Sequence, residues 1–115
     1  MLNIASPSEL IKNVGFAHSA ATTSKLPIVI NGRVLIPLNT RGISERNAYV
    51  YEAEVDNAPA ETGVAWAVND KLYWNPTTGV LTKTASGGTA FGYALQPKDA
   101  AAAVSPLVAY NAYTA

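Results

Sequence analysis

Residues 65 to 95, AWAVNDKLYWNPTTGVLTKTASGGTAFGYAL, decide the fold. Lys71-Leu72-Tyr73-Trp74 and Val80-Leu81-Thr82-Lys83-Thr84 consist largely of aromatic, β-branched and aliphatic residues, the types that suit a pleated, half-buried surface. Asn75-Pro76-Thr77-Thr78-Gly79 between them reads as a five-residue hairpin loop. Pro76 presets φ for the second position of a type I turn, and Gly79 supplies a left-handed residue before the return strand. Alternation places Leu72 and Trp74 on one face and Lys71 and Tyr73 on the other, so one side is dry and one wet. Ser86-Gly87-Gly88-Thr89 then turns the chain into a strand from Ala90 to Leu95, in which Gly92 predicts a bulge or a close backbone approach.

Upstream, Leu26 to Ile30, Asn31-Gly32 and Arg33 to Leu38 form a second hairpin signal, because Asn-Gly favours the type I′ turn whose twist matches the strands. Pro27 and Pro37 belong at strand ends or on an edge, since proline cannot donate to a ladder. Asn47 to Val55 alternates: Tyr49, Tyr51, Ala53 and Val55 share one face, Val50, Glu52 and Glu54 the other. Residues 97–103 suggest a helical turn, and Val104 to Tyr110 a last strand with Pro106 at an edge or bulge. At the N-terminal end, Ser6 to Asn13 reads as a short helix with Ser6 as cap, Pro7 at the first helical position and Glu9 as the reciprocal carboxylate. Such a short helix must dock, because nucleation is costly. Residues 14–24 lack a sustained period and read as loop or linker, with docking on the chain itself or on a partner equally open.

The expected fold is therefore all-β: a small hairpin-rich barrel or sandwich with an N-terminal arm containing a short helix. Residues 1–24 form the arm, 25–110 the β domain and 111–115 a tail. A length of 115 residues fits one domain. Eight Lys and Arg balance eight Asp and Glu, so nothing favours nucleic acid or an anionic membrane. Charged residues are 14% of the chain, against about 25% in an average domain. Low charge with six tyrosines resembles an interface core covered by neighbours, and an Ala-rich β domain is the plain alternative that composition leaves open. Cysteine is absent, which removes disulfides, thiolate metal sites and a Cys nucleophile. No basic region followed by an apolar run and no spanning-length apolar stretch occurs, so a soluble, non-secreted protein is expected.

The chemistry of catalysis is thinly represented. His18 is the single histidine and lies beside Ser19 in the least structured segment, without the third group that a triad needs. Glu52, Glu54 and Asp56 project from one strand face, where they could hold a cation or meet an Arg/Lys patch on a partner; a solvated row is the favoured reading, because calcium needs oxygens converging from several directions. Ser86-Gly87-Gly88 lacks the Lys-Ser/Thr of a phosphate loop. Trp66, Tyr73, Trp74, Phe91 and Tyr93 suit a core better than a stacking platform. No catalytic residue, cofactor or metal is expected, and an enzyme ranks third among the readings.

The Asp followed by Leu-Tyr-Trp, the Gly-containing turn, the Thr-rich return strand and the Phe-Gly-Tyr-Ala segment together resemble the phage capsid cement (decoration) proteins, over Gly63 to Val108. This chain carries Asn69-Asp70 where relatives commonly have Gly-Asp, and its N-terminal third is longer and more individual. The resemblance implies a structural virion protein, made in the host bacterial cytoplasm, that binds the outside of the phage head and bridges major capsid protein subunits. It further implies self-association, a homotrimer being favoured over a dimer, with no nucleic-acid or membrane partner. Within that scheme Leu2, Ile4, Leu10 and Ile11 of the arm and Tyr110 and Tyr113 near the tail are the expected capsid or subunit contacts. The competing reading is a virion-displayed carbohydrate-binding or fibre-attachment module, which exposed coplanar aromatics would favour.

Overall fold

The structure is a computed structural model that describes residues 2–7 and 10–113. Among these residues nine strands follow in chain order: β1 (Asn3–Ile4), β2 (Lys12–Ala17), β3 (Ile28–Ile30), β4 (Arg33–Pro37), β5 (Arg46–Asp56), β6 (Lys71–Asn75), β7 (Val80–Thr82), β8 (Thr89–Ala94) and β9 (Val108–Asn111). They make one sheet, ordered β3-β4-β5-β9-β8-β6-β7, with β1 and β2 both paired to β5. The sheet curls on itself as a half-barrel. The all-β expectation holds, in a form between the open and closed architectures the strand pattern suggested.

Both hairpins form where turn chemistry places them. Asn31 and Gly32 take φ of 50° and 78°, as a type I′ turn requires, and join β3 to β4. Gly79 has φ of 70°, and the β6–β7 pairing of Asn75 with Val80 trims the loop to residues 76–79. Leu72 and Trp74 are buried beneath that hairpin, as the alternation dictates. Gly92 shows both of its expected features. Opposite β6, the register slips so that Phe91 is the extra residue of a bulge, and Gly92 itself lies against the β9 backbone.

The short helix is a correction: no α-helix is present among the described residues, and Leu10 makes only a single-turn bond to the Pro7 carbonyl at 2.9 Å. Lys12 and Asn13, its expected last turn, instead open β2 against Glu52 and Val50. The Ser6 hydroxyl accepts the Glu54 amide at 2.7 Å instead of capping a helix, and Glu9 lies outside the described residues. Pairing along an eleven-residue strand outweighs a one- or two-turn helix that cannot pay for its own nucleation. Residues 14–17 read without a period because β2 is exposed on both faces except at Phe16, which stacks on Tyr49 at 4.3 Å. The last strand is shorter than expected, with Val104 reduced to a lone bridge to Pro59.

β5 organises the core. Its residues pair with β4 through Val50 and Tyr49 and with β9 from Glu52 onward. At this seam the Tyr110 ring lies inside, 1% exposed, with its hydroxyl 2.5 Å from the Val34 carbonyl oxygen and 2.7 Å from that of Val50. Burial, aided by nearby Tyr113 and opposed in part by the Ile36 amide, pushes the Tyr110 phenol well above its ordinary value. Tyr110→Phe is expected to cost about 2 kcal/mol, since it strips a buried donor from two carbonyls. Tyr49→Phe should be neutral or stabilising, because the buried Tyr49 hydroxyl has no partner among the described residues. Alkali provides a second readout. Below about pH 10, folded and unfolded chains both keep the Tyr110 proton; above it only the unfolded chain releases it, so stability falls by up to about 1.4 kcal/mol per pH unit. Urea titrations from pH 9 to 11 should show this slope reduced in Tyr110→Phe.

Candidate functional site

The outer face of β5, β9 and β8 holds a trough of about 580 Å³. Register builds it. Glu54, Ala109 and Tyr93 stand in one row across the three strands, followed by Lys71 on β6. Directly opposed residues share a face, so a small residue on the central strand leaves a channel between longer neighbours. The alternate row, Ala53, Tyr110, Gly92 and Leu72, points into the core. The chain before β2 forms a further wall through Ser6 and Leu10.

The arm also sets the electrostatics. Of the three carboxylates projecting from this side of β5, Glu52 meets the Lys12 ammonium at 3.6 Å and accepts the Asn111 side-chain amide at 2.9 Å. Asp56 accepts the Asn3 side-chain amide at 2.9 Å. Glu54 makes no side-chain hydrogen bond or ion pair among the described residues. The row read as solvated from sequence is thus two tied carboxylates around a free one.

The six expected contact residues divide by burial. Leu10 and Tyr113 are exposed, Ile4 and Ile11 are half-buried against the core, and Leu2 and Tyr110 lie inside the chain's own core. Tyr113 packs edge-on against Tyr51 and lies under the Arg33 guanidinium at 4.9 Å. The arm itself runs along β5 of its own chain. Sequence reasoning passed over Tyr93 as a contact and assigned it to the core; it is 40% exposed. The signal was available in the alternation, which sets Tyr93 opposite in phase to Gly92 and Ala94.

Elsewhere the polar groups serve the loops. Lys98, 4% exposed, donates from Nζ to the carbonyls of Glu61, Asp99 and Ala102 at 2.9–3.0 Å. Burial would raise the Glu61 carboxyl, but hydrogen bonds from the Thr82 hydroxyl and the Lys83 amide, with the charge of Lys98, hold it below its usual value. The Ala67 amide and the Lys83 ammonium, 3.1 Å away, hold Asp70 low as well. His18 lines a hollow with Phe16, Ile30, Arg33 and Tyr113, to which no described Asp or Glu contributes. No group of three or more described His, Cys, Asp or Glu residues is placed to hold a metal ion. No described helix is long and apolar enough to cross a membrane.

A family model described as phage cement protein matches residues 6–109. No curated protein and no solved structure shows a significant match to the chain.

Proposed function

We propose, from the premise that the chain belongs to the phage cement protein family, that it binds the outer surface of the assembled head and bridges neighbouring major capsid subunits. The coverage of residues 6–109 by the family carries this reading. The burial of the aromatics supports it over a displayed carbohydrate-binding module. Trp66, Trp74, Phe91, Tyr49 and Tyr110 are spent on the core, which leaves no broad stacking platform.

Cementing of this kind is mass action. A protein that binds the mature lattice and not its dissociated subunits stabilises each site by RT ln(1 + [L]/Kd), about 2.7 kcal/mol at a hundredfold excess over Kd. Spread over many sites, modest contacts suffice to hold a shell. A closed shell presents local symmetry axes, and a homotrimer at threefold positions fits them.

The test is reconstitution. Purified protein added to expanded heads that lack it should occupy the outer surface in electron micrographs and raise the temperature at which the shells release DNA or fall apart. Absence of binding, or binding with unchanged heat resistance, refutes the proposal.

A further inference from the structure

We infer that the trough over β5, β9 and β8 receives an arginine- or lysine-bearing apolar segment of the major capsid protein, an assignment that rests on the cement reading. Shape, charge and exposed carbon agree on this occupant. Ala109 forms the low floor between Glu54 and Tyr93, so a side chain can lie across the strands at that point. Leu10 and Tyr93 border the trough at 62% and 40% exposure, more apolar surface than a solvated sheet face needs.

Charge selects the partner. Lys12 is matched by Glu52, which leaves Glu54 as the charged group of the trough without a counterpart among the described residues. An incoming guanidinium finds a carboxylate for paired hydrogen bonds and the Tyr93 ring for a cation–π contact, while its aliphatic stem covers Leu10. Two of the cations that a second copy would bring are already engaged. Arg33, paired with the exposed Tyr113, is already turned onto that ring and donates to the Ala112 carbonyl at 3.2 Å. Lys71 likewise lies over its own Tyr73 ring at 5.6 Å.

The experiment measures binding of Glu54→Lys, Glu54→Gln, Tyr93→Ala and Leu10→Ala to expanded heads lacking the protein, after circular dichroism and thermal unfolding confirm each fold. Asp99→Lys, on an exposed turn outside the trough, makes the same charge change as a control. Glu54→Lys is expected to weaken binding about tenfold or more and the other three variants several-fold, with the control unchanged. The salt dependence of binding should flatten in Glu54→Gln. Wild-type binding matched by folded Glu54→Lys and Tyr93→Ala would overturn the trough and leave the cement reading standing. Failure of wild type to bind heads would overturn the reading beneath it. Altered sedimentation of the free Glu54→Lys protein would make the occupant a second copy and overturn the capsid assignment.

Discussion

Gly92→Ala is expected to destabilise the protein by about 3–5 kcal/mol, among the largest effects a single methyl group can have. A Cβ at this position overlaps the Ala109 carbonyl oxygen and stands 2.8 Å from the carbonyl carbon and 3.0 Å from Tyr110 Cα. All three atoms are backbone, so no rotamer change relieves the clash. β8 and β9 would have to part at the row that also seats Leu72 and Tyr110, both in the core. Gly15→Ala supplies the comparison. Its Cβ meets Arg46 Nη2 at 3.5 Å, an ordinary contact, and the expected change is within about 0.5 kcal/mol. Urea denaturation checks both, with a fall in midpoint at constant slope for Gly92→Ala. A midpoint within error of wild type would show that the strands separate cheaply and refute the account.

Lys98→Met should cost about 3 kcal/mol or more. The substitution keeps most of the stem but removes a charged donor shared by three carbonyls, two of them on the turn that follows Lys98. It also removes the ammonium 5.1 Å over the Trp66 ring. Two backbone bonds between Trp66 and Lys98 and one from Gly63 to Ala100 would remain, so the damage is to loop order before it is to the sheet. The affected layer matters for solubility. Pro59 and Glu61 bond both sides of Leu81 and so cover the outer edge of β7, which would otherwise offer an open ladder. Lys12→Met, at an exposed lysine, should cost far less. Amide exchange would separate the cases: faster exchange at Gly63 and Trp66 in Lys98→Met, with β5 still protected, is expected. Unchanged exchange at both amides counts against the clamp.

What could be read from sequence was local. Asn31-Gly32 and Pro76 to Gly79 set their hairpins through backbone preference, which needs no knowledge of the rest of the chain. The alternation of β5 was equally legible, because one face is buried along most of its length. β2 was hidden for the converse reason: a strand wet on both faces carries no alternation. The capping signature at Ser6 was real local chemistry overridden by a distant strand, whose Glu54 amide claimed the hydroxyl. The candidate site was legible in part. Alternation put Glu52, Glu54 and Asp56 on one face, but which of them stays free depends on where Lys12 and Asn3 land. Leu2 and Tyr110 show the same limit. An apolar residue near a chain end looks alike whether it fills its own core or a neighbour's, and here both fill their own.

The placement of β9 has a consequence for biosynthesis. The Asn111 side chain reaches Glu52 across 59 positions of sequence, and that of Asn3 reaches Asp56 across 53. Loops of this length must close before the pairing that rewards them exists, which puts folding in the millisecond-to-second range typical of high contact order. Because β9 occupies the slot between β5 and β8, the two halves of the sheet cannot be joined until residue 111 has left the ribosome. Until then β5 and β8 each present an unsatisfied ladder, and the nascent chain is most prone to mispair during that interval.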